Sequence, residues 1–264
     1  MSRKHILLTN DDGVDAYGLG LLAEMLAETG DFRLSTVAPA SQQSASSHSL
    51  TLHSPLRVLE RGERRWAVTG TPTDSVLVAV EHILKDDPPD MVVSGVNHGA
   101  NMGEDVTYSG TVAAALEGSI LGLPSYAVSC TSHQPADWGA VKAFLRYRLK
   151  AFLDQPLPRH SLLNINIPPV PESEIKGIRV VPLGSRIYQD VISVHSDPRG
   201  DAYLWIGGNG PVWDKVPDTD ATLNRDGYVV VTPLKVDMTN TALLKQMRNL
   251  DLEGPLAPPG GAGR

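Results

Sequence analysis

From its first residues to about residue 130 the chain alternates short runs of apolar, often branched residues with stretches whose apolar positions recur every three or four residues. No other feature constrains the fold as strongly. Strand, helix and strand in succession make parallel pairs, and a parallel sheet has to be covered by helices on both faces. Residues 5–9 read as a buried strand, and Leu19, Leu22, Met25 and Leu26 mark a helical stripe that runs to Glu28. A second strand is expected at 33–38. Leu50, Leu52, Leu56 and Val58, followed by Trp66 and Val68, suggest an antiparallel pair that turns near Gly62. Thr71-Pro72-Thr73-Asp74 carries the start signals of a helix: Thr71 as N-cap, Pro72 at the first helical position and Asp74 at the capping-box position, before an apolar run to Leu84. Strands at 90–94 and 124–130 then flank a small-residue helix at 110–121.

These elements imply an α/β fold, a three-layer, Rossmann-like architecture around a mostly parallel sheet, in which ligands sit beyond the carboxyl ends of the strands. Beyond a helix at 138–152, carrying Val141, Phe144, Leu145 and Leu149, the pattern changes. Runs at 162–167, 178–183, 202–206 and 228–234 read as strands, and 240–250 as a last helix. We expect one domain over 1–253, with a core at about 1–153 and a β-rich C-terminal extension at about 154–253. Residues 254–264, with four Gly and three Pro, read as a disordered tail.

Composition narrows the class. With 264 residues the chain can bury an extensive core, and its one cysteine, Cys130, cannot close an internal disulfide, so a reducing compartment is expected. The 23 basic and 30 acidic residues leave a net charge of −7, which argues against a nucleic-acid partner bound along an open surface. Ile6-Leu7-Leu8 is too short for a signal-peptide core. The most apolar long window, 107–130, is interrupted by Glu117, Gly118, Gly122 and Pro124, so no membrane span is expected. The expectation is a soluble, cytoplasmic protein.

Chemistry concentrates after the strands. Asn10-Asp11-Asp12-Gly13 follows the first of them, and adjacent carboxylates at the end of a buried strand call for a shared cation or strong donors, although Asp-Gly also marks an ordinary turn. A second cluster, from Ser94 to Gly103, has three glycines in nine residues and leads to Tyr108-Ser109-Gly110-Thr111 at a helix start. Free N–H groups there, with the Ser109 and Thr111 hydroxyls, make an anion cradle. The loop at 38–49 holds five Ser and two Gln, which on composition alone reads as a flexible connector, but at the same sheet edge one hydroxyl could reach the cation. Carboxylate, amide and hydroxyl oxygens favour Mg²⁺ or Mn²⁺ over a structural zinc. Together the clusters suggest a cation held beside a phosphate. His98, inside the Gly-rich loop, reads either as a supporting group or as a general acid.

Competing motifs fit less well. Gly18-Leu19-Gly20-Leu21-Leu22-Ala23 matches a relaxed dinucleotide fingerprint, but the Asp pair separates it from its strand, and no acidic residue closes the second strand. An aspartyl-phosphate signature D-x-D-G would need Asp where Asn10 stands, and there is no G-x-x-x-x-G-K-[ST] loop.

Several linked motifs, in order, resemble the SurE (survival protein E) family. They are Leu8-Thr9-Asn10-Asp11-Asp12-Gly13-Val14, Val37-Ala38-Pro39 with Gln43-Ser44, Gly70-Thr71-Pro72-Thr73-Asp74, Ser94-Gly95-Val96-Asn97 with Gly99 and Asn101, and the run from Tyr108 to Gly118. Asn164-Ile165-Asn166-Ile167-Pro168, Asp197-Pro198-Arg199-Gly200 and Gly227-Tyr228-Val229 continue the resemblance. It implies a metal-dependent phosphomonoesterase acting on nucleoside monophosphates, most typically a 5′-nucleotidase, with 3′-nucleotides and polyphosphate as further substrates of some members. The family's metal ligands map onto Asp11, Asp12, Ser44 and Asn97, with one divalent cation per subunit. Its phosphate-binding residues map onto Asn97, Ser109, Gly110 and Thr111, and catalysis onto Asp11 and Asp12. Ala45 departs from the Ser-Gly form seen in many members. The family also implies a homodimer or homotetramer that uses the C-terminal extension. The alternative is a non-catalytic nucleotide or phosphate sensor on the same cleft.

Overall fold

The computed structural model describes residues 3–187, 192–206 and 212–250. In chain order the elements that matter here are β1 (Lys4–Thr9), α1 (Tyr17–Glu28), β2 (Phe32–Pro39), β3 (Val58–Gly62), β4 (Arg65–Val68), α2 (Pro72–Val78), β5 (Met91–His98), α3 (Gly110–Ile120) and β6 (Ser125–Cys130). Then follow α4 (Gly139–Phe144), α5 (Lys150–Leu153), β7 (Ser161–Ile167), β8 (Ile178–Val180), β9 (Arg186–Ile187), β10 (Ile192–Ser196), β11 (Ala202–Ile206), β12 (Val212–Trp213), α6 (Asp220–Arg225), β13 (Val229–Lys235) and α7 (Thr241–Arg248).

The period of two in the strands decides the layers. Ile6 and Leu8 of β1, Met91 and Val93 of β5 and Tyr126 and Val128 of β6 point to one face, where α1 and α4 cover them. Leu7 and Val92 point to the other, under Val76 and Ala79 and against Ala114 of α3. Both sets are fully or almost fully buried, which is why these strands read as continuous apolar runs. The sheet order is β3-β4-β2-β1-β5-β6-β7-β13-β8. From β4 to β7 every pair is parallel, while β3 and β13 run antiparallel to β4 and β7. The mostly parallel, two-sided α/β architecture is the one expected.

Individual elements depart from the pattern for local reasons. The antiparallel pair forms as β3 and β4, but residues 50–56 form no strand, and Leu50 and Leu52 are exposed. The strand expected at 90–94 extends to His98 through a bulge between Ser94 and Asn97, where Gly95 takes a positive φ of 139°. A side chain at Gly95 would collide with Val128 O of the neighbouring strand. The helix at 138–152 forms in two pieces joined by a π-turn at Leu145–Leu149. β8 stops at Val180, and Pro182 then has no N–H to extend the pairing with β13. β10 is not among the expected strands, although Ile192 and Val194 alternate with Ser193 and His195; none of its five residues is buried. Cys130 packs in the core as expected, and burial pushes its thiol up to about 11. The expected disordered tail lies outside the described residues. Among those residues no helix is long and apolar enough to cross a membrane.

Candidate active site

Thr9 of β1 stands opposite Ser94 of β5, so the Asp pair and the Gly-rich loop leave adjacent strands at one edge. Local chemistry fixes their shape. Asn10 closes an Asx turn, its Nδ2 donating to Gly13 O at 2.9 Å while its Oδ1 accepts from Gly13 N at 3.2 Å. The loop after β2 is stitched on by Gln43 N donating to Asp11 O at 2.7 Å and Val14 N donating to Pro39 O at 2.8 Å. Helix α1 begins so close that a Cβ on Gly18 would lie 2.0 Å from Val96 O. Gly18 therefore permits helix contact with β5, a packing role in place of the pyrophosphate contact of the dinucleotide motif.

Asp11 is buried, and Thr111 donates its hydroxyl proton to Asp11 Oδ1. Burial pushes the Asp11 carboxyl up to about 6; the Thr111 hydroxyl opposes that shift and the neighbouring Asp12 adds to it. A buried carboxylate that resists ionisation beside a second carboxylate is short of positive charge. Asp12 Oδ2 accepts from the His98 backbone N–H at 3.2 Å and from Nδ1 at 3.0 Å. The His98 ring meets Trp138 edge-on at 5.1 Å, and Trp138 meets Tyr17 in the same way at 5.0 Å. Asn97 Nδ2 donates to Gly99 O at 2.9 Å, which commits its amide nitrogen and leaves the carbonyl oxygen as the ligating end.

Helix α3 brings the anion cradle to the same place. Ser109 is its N-cap, with Oγ accepting from Val112 N at 3.1 Å. Gly110 is indispensable in shape: a Cβ there would stand 2.7 Å from Asp11 Cβ, 2.9 Å from Ser46 Oγ and 3.0 Å from Asp11 Oδ2. The loop carrying the serines is pinned to α3 by Ser47 N donating to Tyr108 O at 3.1 Å and by a 2.8 Å contact of His48 Nε2 with Glu117 Oε2. Asp11, Asp12, Asn97, Ser109, Gly110 and Thr111 thus gather at one edge. Ser44 is on the loop but exposed, and its Oγ accepts from Gln42 Nε2 at 2.9 Å instead of bonding to the Asp pair. Ala45 beside it holds a positive φ of 57°.

Sequence reasoning left the support of the Gly-rich loop unread. Asn101 N donates to Asn166 Oδ1 at 2.9 Å, while Asn164 and Asn166 both donate to Asn101 O, at 2.7 and 2.9 Å. Asn101 Nδ2 donates to Ser129 Oγ at 2.8 Å. Asp220, fully buried, accepts from Gly103 N at 3.0 Å and Gly184 N at 2.6 Å, and burial raises its pKa against those bonds. The signal was present in Asn164-Ile165-Asn166-Ile167, where asparagines repeat every second residue in a core strand. Buried amides at that period need partners on one face.

The donor set suits a hard cation. Two carboxylates, an amide and a hydroxyl supply oxygen only, and among the described residues no group of three or more His, Cys, Asp and Glu is placed to hold a metal in the manner of a zinc centre. An under-compensated buried carboxylate at a helix N-terminus fits a divalent ion with a phosphate beside it.

Fold and site together define an α/β protein in which a carboxylate pair and a helix N-terminus meet at the carboxyl edge of a mostly parallel sheet. The family model described as "Survival protein SurE" matches residues 6–190, and the chain belongs to that family. It is 48% identical over 248 residues to a Gemmatimonas aurantiaca protein named "5'-nucleotidase SurE", covering 90% of this chain and 95% of that one. A protein of the same name from Paramagnetospirillum magneticum is 45% identical over 248 residues, covering 93% and 95%. The crystal structure of the SurE protein from Aquifex aeolicus superposes with a TM-score of 0.80 at 36% identity, covering 93% of this chain and 99% of that one.

Proposed function

We propose that this chain is a divalent-metal-dependent phosphomonoesterase that converts nucleoside monophosphates to nucleoside and phosphate, a 5′-nucleotidase. One observation carries the reading: the buried Asp11 carboxylate, with its raised pKa, is hydrogen-bonded to Thr111 in the N-terminal turn of α3, where Gly110 lets the carboxylate come close to the helix backbone. The relatives' names support the substrate class. Asp11, Asp12, Ser44 and Asn97 would hold the cation, one Mg²⁺ or Mn²⁺ in each subunit, with Ser44 turning inward from Gln42. Bound there, a divalent cation would supply charge to polarise a phosphoryl oxygen and lower the pKa of water.

The chain's own groups do the rest. Thr111 orients Asp11, and His98 holds Asp12 Oδ2, so each carboxylate keeps one oxygen for ligand or proton. Asn97, Ser109, Gly110 and Thr111 receive the phosphoryl oxygens and stabilise charge that grows in the transition state. Water oxygen bonds to phosphorus as the bond from phosphorus to the ribose oxygen breaks, an oxygen of the Asp pair accepts the water proton, and the departing ribose oxygen takes up a proton from solvent to leave as the nucleoside hydroxyl.

The same reading extends to assembly. The β10–β11 hairpin exposes Ile192, Val194, Leu204, Trp205 and Ile206, and α7 exposes Leu243, Leu244 and Met247. Such surfaces support a homodimer or homotetramer built through the C-terminal extension. The lone, buried Cys130 accords with a cytoplasmic protein.

The test is phosphate release from 5′- and 3′-nucleoside monophosphates and a short polyphosphate, with Mn²⁺ or Mg²⁺ and an EDTA control. Metal-dependent release, highest for 5′-nucleotides, is expected. Nucleotide binding without release would return the reading to a sensor.

A further inference from the structure

The serine loop contributes one group that the family ligand set leaves idle. Ser46 Oγ is shut off from solvent and has no hydrogen-bond partner among the described residues. Its backbone is tied down, with Ser46 N donating to Gln43 O at 3.3 Å and Ser46 O accepting from Ser49 Oγ at 2.8 Å. Its neighbour Ser47 is bonded to Tyr108 just ahead of α3. A buried hydroxyl without a partner costs stability, so a loop held this firmly around one points to a group absent from the free protein.

Gly110 shows which surface that hydroxyl borders. A Cβ built on Gly110 would stand 2.9 Å from Ser46 Oγ and 3.0 Å from Asp11 Oδ2, so both oxygens lie close against the backbone of the first turn of α3. Backbone N–H groups at such a helix N-terminus favour an anion. The other hydroxyls around it are partly spent. Thr111 Oγ1 donates its hydrogen bond to Asp11 Oδ1, and Ser109 Oγ accepts from Val112 N–H. Among the described residues, Ser46 Oγ keeps both its proton and its lone pairs uncommitted.

We propose that Ser46 Oγ donates a hydrogen bond to a non-bridging phosphoryl oxygen of the substrate, making Ser46 a substrate-contacting residue beside Ser109, Gly110 and Thr111. The inference rests on the phosphate-cradle reading given under the proposed function. It assigns to Ser46 the phosphate, and leaves the cation to the Asp pair, Asn97 and Ser44.

The test compares the full chain with Ser46→Ala and Ser46→Thr in three measurements: kcat/KM for a 5′-nucleotide, calorimetric binding of inorganic phosphate in the presence of Mn²⁺, and Mn²⁺ affinity alone. Ser46→Ala should weaken phosphate binding and kcat/KM by about tenfold, the worth of one hydrogen bond to a charged group. It should leave Mn²⁺ affinity unchanged, and the metal-free melting temperature should hold or rise, because an orphan hydroxyl has been removed. Ser46→Thr should retain most of both activities. Unchanged phosphate binding in Ser46→Ala, or a loss confined to Mn²⁺ affinity, overturns the proposal. Should the unmutated chain release no phosphate from any nucleotide, hydrolysis is refuted, while the phosphate isotherms still decide the role of Ser46.

Discussion

Thr111 and Asp11 are joined by a hydrogen bond that spans a sequence separation of 100 residues, from the first turn of α3 to the end of β1. That bond ties the first turn of α3 to the carboxylate pair, so the proposed phosphate and cation sites would be built as one unit. It also sets the charge balance of the free protein. Thr111 stabilises the ionised carboxylate, but burial outweighs it.

The first consequence concerns pH. Asp11 has an ordinary value of 3.8, raised in the fold to about 6. Between those values the Asp11 carboxyl holds its proton in the folded chain and not in the unfolded one, so its contribution to metal-free stability is greatest below about 4 and is lost as pH rises through about 6. A shift of this size corresponds to about 3 kcal/mol. Asp11→Asn should therefore melt higher than the unmutated protein at pH 7 in EDTA, and lose the Asp11 component of the pH slope. It should also abolish phosphate release. Adding Mn²⁺ should stabilise the unmutated protein and leave Asp11→Asn almost unaffected. Thermal melts from pH 4 to pH 8 check each part; a variant less stable at pH 7 in EDTA would contradict the charge account.

Gly110 makes a steric prediction. A methyl group there meets Asp11 Cβ at 2.7 Å and Ser46 Oγ at 2.9 Å, both belonging to segments held by backbone hydrogen bonds. Gly110→Ala should cut kcat/KM by about a hundredfold, the cost of a misplaced reacting group. Helix propensity offsets part of any destabilisation. Circular dichroism melts beside the kinetics separate loss of site from loss of fold.

Ala45 makes a prediction of opposite sign. Its φ of 57° lies in the left-handed region, which costs an L-residue about 1 kcal/mol and glycine almost nothing. Part of that gain is lost to the freer unfolded chain. Ala45→Gly should raise the melting temperature by about 1–2 °C. A drop would mean that the alanine methyl makes packing contacts worth more than the backbone strain.

How far the sequence reveals this site depends on the range of the interactions. The Asp pair, the glycines and Ser109 announce themselves because strand ends, turns and N-caps are local events. Thr71 and Asp74 likewise form the expected capping box, with Asp74 N donating to Thr71 Oγ1 at 3.1 Å. The pairing of Asp12 with His98 and the clamp of Asn166 on Asn101 are different in kind. They join residues 86 and 65 positions apart, and only the sheet order brings them together. Ser46 was hidden among five serines of one loop, since nothing in composition says which hydroxyl turns inward.

The C-terminal extension carries the last prediction. Helix α7 has a stripe at Leu243, Leu244 and Met247, with Leu250 one turn on, and none of its residues is buried. The hairpin is equally unclad: Trp205 is 64% and Ile206 89% exposed. Burying a side chain of this size contributes about 2 kcal/mol, so several together could hold subunits in contact. Leu244→Asp and Trp205→Asp replace exposed residues, and the monomer fold should lose no more than about 0.5 kcal/mol. Sedimentation velocity should then show a smaller species than the unmutated chain, with each substitution removing the contact its own element makes. An unmutated chain that sediments as a monomer at micromolar concentration, or variants that sediment unchanged, would refute assembly through these surfaces.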